Sequence, residues 1–217
     1  MIPKIIHQIW IGHHRKPIEW MNTFSIDYIK HNPHYTYIEW NETNIKELFI
    51  GFNNYEKIYN LEKTFNGKSD LLRYLILYKY GGIYIDADSV WINNKSFDNF
   101  LNNKCFFAYE NEKKLIICGG VMGTTKFNRF MKILIDKISN IELHKYKKMR
   151  ANNDAWQVIG PQFITNNIDY TLTTIYDNIY FYPYDWHNIK DDKMHLKVIL
   201  PIESITFQYG LTTNKLL

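Results

Sequence analysis

The sequence predicts an α/β fold, a Rossmann-like mixed sheet flanked by helices, on three observations. Short β-branched runs alternate with helical stretches along all 217 residues. Residues 68–80 place Leu71, Leu72, Leu75 and Ile76 at helical spacing, and Gly81-Gly82 stops that helix with residues free to take positive φ. A compact apolar run at 83–87 follows at once, the helix-to-strand step of an α/β unit. No internal repeat or flexible linker interrupts the pattern. A chain of 26.2 kDa with 46% hydrophobic and 22% charged residues can bury one core, so a single domain over 1–217 is expected.

Each element has its own signal. Residues 4–11 are β-branched-rich and end at Gly12, a short buried strand. Pro17 opens an amphipathic helix through Trp20, Phe24, Tyr28 and Ile29 that stops before Asn32-Pro33. A strand is expected at 35–40, and two short helices within 41–61, where Gly51 and Asn53-Asn54 break the periodicity. Further on come a helix near 97–101, a strand at 105–109, a strand at 115–121 containing Gly119-Gly120, and a helix over 127–138. The remainder reads as short helices and strands around Gly160-Pro161, 180–182 and 197–200.

Bulk properties exclude more than they assign. A formal charge of +4 suits an anionic ligand or merely a lysine-rich surface. The densest basic cluster, Lys145, Lys147, Lys148 and Arg150, is short and lacks aromatics spaced as a stacking platform, so no nucleic-acid partner is expected. Two cysteines, Cys105 and Cys118, make reduced buried thiols the default. His7 and Gln8 interrupt the first apolar stretch before it could serve as a signal-peptide core, and no run approaches the ~18 residues of a membrane span. The expectation is a soluble, cytoplasmic chain, in a host cytoplasm if it is viral.

In open α/β sheets ligands bind beyond the carboxyl ends of the strands, where Trp10 and Asp86 fall. Asp86-Ala87-Asp88 sets two carboxylates at i and i+2, and on extended backbone both project to one side. Such a pair offers a hard, oxygen-rich half-shell to Mg²⁺ or Mn²⁺, or makes a solvated turn. On the preceding helix, Ser69-Asp70-Leu71-Leu72-Arg73 puts Asp70 and Arg73 at i and i+3, opposite the leucine stripe. They fit either a surface ion pair of little weight or a grip on phosphate and sugar oxygens.

Taken together, residues 2–12, 69–73 and 81–88 resemble the DXD sugar-binding region of glycosyltransferase family 32. That family includes fungal Golgi mannosyltransferases and bacterial capsule transferases, and the large glucosylating toxins carry a related Trp, Ser-Asp-x-x-Arg and D-x-D set. The likeness is strong over the first half and weaker through Gly160-Pro161. It implies a GT-A type nucleotide-diphospho-sugar transferase fold, a metal-dependent retaining transfer, and a UDP-sugar or GDP-mannose as donor. The acceptor would be a glycan, a protein or a lipid. Residue by residue, the resemblance puts Trp10 on the base and Tyr84 along base or ribose. Ser69, Asp70 and Arg73 would hold the donor sugar, while Asp88 ligates Mn²⁺ or Mg²⁺ and Asp86 bridges ribose or sugar and metal.

The C-terminal stretch departs from the family, which often places a histidine there as a further metal ligand. This chain reads Thr206-Phe207-Gln208-Tyr209-Gly210, so Gln208 is either an amide ligand or a loop residue, with Asn214 an alternative donor. Asp154 is an acceptor-side carboxylate or the N-cap of a short helix. His7, His13 and His14 lack cysteine partners at zinc spacing, and His7 is expected to pack in the first strand. Two rival functions use the same residues: a haloacid-dehalogenase-type phosphatase with Asp86 as nucleophile, and a degenerate transferase that only binds glycan or a partner.

Overall fold

The computed structural model describes residues 1–211; Asn214 lies outside them. The chain opens with β1, Ile5–Ile9. A continuous helical segment follows, α1 Ile18–Asn22 passing through a π-helical stretch, Thr23–Tyr28, into α2 Ile29–His31. It stops before Pro33, whose ring disfavours helical backbone at the residue ahead of it. Then come β2 Thr36–Trp40, a 3₁₀ turn Ile45–Phe49, α3 Asn53–Leu61 and α4 Phe65–Tyr80. Next are β3 Gly82–Ile85, β4 Ser89–Trp91, a 3₁₀ turn Asp98–Phe100, β5 Cys105–Tyr109 and β6 Ile117–Thr124. The last part holds α5 Arg129–Ser139, α6 Leu143–Asn152, α7 Ala155–Val158, α8 Pro161–Asn167, β7 Thr174–Tyr176 and β8 Thr206–Gln208.

Six strands form one mixed sheet in the order β2-β1-β3-β6-β5-β7. β1 is parallel to β2 and β3, β5 is parallel to β7, and β6 runs antiparallel between β3 and β5. The carboxyl ends of β1, β3 and β5 therefore share one edge. Side chains alternate across the sheet. Ile83 and Ile85 join Phe24, Tyr28, Phe97 and Phe181 on one face, while Tyr84 and Met122 join Leu71, Leu75 and Phe130 on the other. A separate two-stranded sheet pairs β4 with β8 antiparallel.

Helix α4 departs from the amphipathic expectation. Every residue from Asp70 to Leu77 is buried, because the helix is packed by the sheet, α5 and α7 rather than lying on a surface. Thr64 caps it, its side chain accepting from the Gly67 backbone N–H. The turn into β3 depends on Gly81 (φ 66) and Gly82 (φ 95). A Cβ on Gly82 would lie 2.7 Å from the Ile5 carbonyl oxygen, so a side chain there is barred by space as well as by φ.

Several elements differ from expectation at their ends, and one expected strand is not formed. The strand expected at 115–121 begins at Ile117 and runs on to Thr124, following its antiparallel partner β3. Residues 197–200 form no strand; Val198 and Leu200 pack inward while Ile199 is fully exposed, and the pairing edge of β4 is taken by β8 instead.

Candidate active site

A cavity of about 640 Å³ opens at the carboxyl edge of β1 and β3, a size that takes a nucleotide-scale ligand. Trp10, Ser69, Arg73, Tyr84, Asp86 and Asp88 all line it, and with them Arg15, Lys63, Phe65 and Leu211. Both carboxylates thus share the cleft of the indole and the guanidinium. Their backbone differs from the extended arrangement expected. Asp86-Ala87-Asp88 is a turn beyond β3, closed by Ser89 N–H donating to the Asp86 carbonyl at 3.1 Å.

Asp86 is fixed at every polar atom. Its N–H donates to the Gly120 carbonyl at 2.8 Å, and its own carbonyl accepts from Gln8 Nε2 at 3.2 Å. Oδ1 accepts from the Tyr84 hydroxyl at 2.7 Å and lies 3.6 Å from Arg73 Nη2. Oδ2 accepts from Gln208 Nε2 at 3.2 Å. Asp88 is tied less completely: Oδ2 accepts from the Leu211 N–H at 2.7 Å, while Oδ1 is buried without a hydrogen-bond partner among the described residues. Burial, and then the nearby charge of Asp86, push the Asp88 carboxyl well above the usual carboxylate range.

Gln208 Oε1 is likewise buried without a partner among the described residues. The residue ends β8 opposite Ser89, so it is a strand residue and not part of a loop. Orphaned buried acceptors cost on the order of 1–3 kcal/mol each and call for an explanation. Two such oxygens beside the Asp86 carboxylate form a donor set that fits a hard divalent cation. Gly120 keeps space open beside Gln208 and Asp86: a Cβ on it would lie 2.6 Å from Gln208 Oε1 and 2.9 Å from Asp86 Oδ2. Among the described residues no three His, Cys, Asp or Glu side chains gather to hold a metal, and Ser89 Oγ is a further buried oxygen without a partner there.

Arg73 and Asp70 are a buried pair, 5% and 4% exposed, which corrects the surface alternative. Arg73 Nη2 lies 2.7 Å from Asp70 Oδ1 and Nη1 donates to the Gly119 carbonyl at 2.6 Å. The guanidinium also lies over the Tyr84 ring, 4.9 Å from its centroid. Asp70 is behind Arg73 rather than on the cavity wall; burial pushes its carboxyl up to about 6 against the lowering charge of Arg73. Tyr84 lines the cavity with only 1% exposure, its hydroxyl committed to Asp86. Trp10 is half-buried at the cavity wall.

Other expectations resolve simply. His7 is fully buried, with Nε2–H donating to the Gly81 carbonyl at 2.8 Å and Nδ1 accepting from Trp40 Nε1 at 3.1 Å. Burial lowers it to about 4, so it is a neutral strut of the strand. His13 and His14 pack on Phe65 instead. Asp154 forms a capping box with Gln157 on α7. Cys105 and Cys118 are both free and buried. Sequence reasoning missed Arg15, Lys63 and Phe65; a basic residue just beyond each of two cavity-facing segments is too common a pattern to have marked them.

The mixed sheet, with one antiparallel strand beside β3 and an acidic pair at the β3 edge of the cavity, is a GT-A type α/β fold. Residues 17–107, less than half of the chain, are similar to the family described as "Glycosyltransferase sugar-binding region containing DXD motif". The match includes Asp70, Arg73, Asp86 and Asp88 and leaves Trp10 and Gln208 outside. A Schizosaccharomyces pombe relative, inositol phosphoceramide mannosyltransferase 3, is 32% identical over 126 residues, 49% of this chain and 33% of that protein. The chain therefore spans only about a third of that relative. Among solved structures the PaToxG glycosyltransferase is similar with a TM-score of 0.55 at 24% identity, over 76% of this chain and 68% of that one. The UDP-bound glycosyltransferase domain of the YGT toxin is similar with a TM-score of 0.50 at 11% identity, over 81% and 79%. No helix among the described residues is long and apolar enough to cross a membrane.

Proposed function

We propose that this chain, as one domain over 1–217, is a metal-dependent retaining glycosyltransferase that moves a hexose or N-acetylhexosamine from a nucleotide-diphosphate sugar to a glycan, protein or lipid acceptor. The observation that carries the reading is the pair of buried, unpartnered oxygens, Asp88 Oδ1 and Gln208 Oε1, beside the clamped carboxylate of Asp86. These three side chains would hold Mn²⁺ or Mg²⁺. When bound, the cation supplies Lewis-acid stabilisation to a diphosphate leaving group.

The remaining residues bind and orient. Trp10 offers an indole face to the base, and Arg15 and Lys63 bring positive charge to the same cavity for an anionic donor. Arg73 and Tyr84 hold Asp86 at the cavity floor, and Ser69 offers a hydroxyl to the sugar. The retaining course is what the family resemblance implies, and the cavity lining is compatible with it. The cavity's carboxylates among the described residues are Asp86 and Asp88, both assigned to the cation, which leaves no separate protein nucleophile. The bond from the anomeric carbon to the diphosphate oxygen breaks, the acceptor oxygen bonds to that carbon on the same face, and its proton passes to the departing phosphate oxygen.

UDP, the nucleotide held by a toxin domain of similar fold, favours a UDP-sugar donor. The fungal relative keeps GDP-mannose and a lipid acceptor in view. The phosphatase alternative would use the same Asp86 carboxylate as nucleophile, and the similarity of residues 17–107 to a glycosyltransferase region favours the transferase reading over it. Incubation with a panel of nucleotide sugars and Mn²⁺ tests the reading. Release of nucleoside diphosphate from one donor supports it; release of inorganic phosphate from phosphomonoesters, with all donors intact, would overturn it.

A further inference from the structure

Glu62 lies between α3 and α4, 2% exposed, and its one carboxylate gathers six donors. Oε1 accepts from the backbone N–H groups of Lys63 at 3.0 Å and Thr64 at 2.9 Å. It also accepts from Thr64 Oγ1 at 2.7 Å and Arg150 Nη2 at 3.0 Å. Oε2 accepts from the Tyr146 hydroxyl at 2.5 Å and Arg150 Nε at 2.7 Å. Tyr146 and Arg150 both belong to α6, a helix that contributes no residue to the cavity.

What Glu62 organises is a cavity wall. Lys63, Thr64, Phe65 and Asn66 all line the cavity, and Thr64 caps the helix that carries Ser69 and Arg73. Phe65 in turn supports the loop after Trp10: a Cβ on Gly12 would lie 2.5 Å from its ring. Stability alone does not call for this arrangement, since a buried ion pair is often no better than well-packed apolar side chains of similar volume. A fixed turn does call for it, because backbone N–H groups converging on one carboxylate set both the position and the direction of the segment.

We infer that Glu62, locked by Arg150 and Tyr146, is a positioning residue for nucleotide binding: it holds the 63–66 wall, and through Phe65 the Trp10 loop, in register for a nucleoside diphosphate. The inference rests on the sugar-nucleotide reading of the cavity. Its signature is affinity for the nucleotide rather than the rate of the chemical step, because Glu62 lies off the cavity wall.

UDP with Mn²⁺ is the probe, titrated by calorimetry into the wild type, Glu62→Gln, Arg150→Ala, Arg150→Lys and Tyr146→Phe, with Glu142→Gln on the exposed face of the same region as control. Glu62→Gln and Arg150→Ala are expected to raise Kd about tenfold, with Arg150→Lys recovering part of the loss and Glu142→Gln matching the wild type. With a donor that turns over, KM rises and kcat stays within about twofold. A purely structural role would lower Tm and leave Kd unmoved, and that result overturns the inference. If Glu62→Gln does not fold, Arg150→Ala and Tyr146→Phe decide the same question. If the wild type itself binds no UDP, it is the donor reading that falls, whereas wild-type binding matched by every variant rejects the positioning role alone.

Discussion

Gln208 Nε2 donates to Asp86 Oδ2 at 3.2 Å, which leaves the other end of the same carboxamide, Oε1, buried and without a partner among the described residues. One residue from β8, more than a hundred positions downstream, thus both steadies the first carboxylate and completes an oxygen set with Asp88. Gln208→Leu keeps the volume and removes both roles. The Mn²⁺ concentration that half-saturates UDP binding is expected to rise by about tenfold or more, measured by titration at fixed UDP, with helix content unchanged.

Asp86 and Asp88 repel each other in the metal-free protein, and the burial of Asp88 sharpens the penalty. Asp88→Asn should therefore stabilise the metal-free chain, by about 1 kcal/mol. The same change should abolish the rise in melting temperature that Mn²⁺ with UDP gives the wild type. Differential scanning fluorimetry with and without the metal reads both effects at once.

Gly120 leaves room that any side chain would fill. Gly120→Ala places a methyl group 2.6 Å from Gln208 Oε1 and 2.9 Å from Asp86 Oδ2, so one of them must move. Metal-dependent UDP binding should fall by at least about tenfold while far-UV circular dichroism stays as in the wild type.

Glu62 gives the fold a pH dependence whose sign is fixed by its environment. Burial alone would raise it, but hydrogen bonds from Arg150, Tyr146 and Thr64 outweigh burial and hold it at about 2, against 4.5 for a free glutamate. A depressed carboxylate contributes its full stability above about pH 4.5 and loses it as the pH falls towards 2. Discounted for the part-exposed Arg150, the loss should be about 2 kcal/mol. Urea unfolding at about pH 6 and about pH 3 measures it, and Glu62→Gln should flatten the difference.

Much of this site was legible because local chemistry marked it. The leucine spacing of α4, the Gly81-Gly82 stop and the apolar run of β3 placed Asp86 at a strand end before any coordinates were needed. What escaped was non-local. Nothing near Asp70 or Arg73 reveals that Gly119 of β6 lies against Arg73 and Gly160, between α7 and α8, against Asp70, turning an apparent surface pair into a buried one. Gln208 was ambiguous because its role depends on β8 returning to pair with β4, a contact across more than a hundred residues. Glu62 gave no signal at all, since its partners Tyr146 and Arg150 lie in a basic helix whose other lysines face outward.

The account stands or falls on a cation held by Asp86, Asp88 and Gln208 carrying the diphosphate of the donor. Calorimetric titration of UDP into the wild type and Asp88→Ala, each with Mn²⁺ and with chelator, addresses it most directly. Binding in the wild type only when Mn²⁺ is present, and none in Asp88→Ala under either condition, is the predicted result. Equal binding of UDP by both proteins in chelator would contradict it.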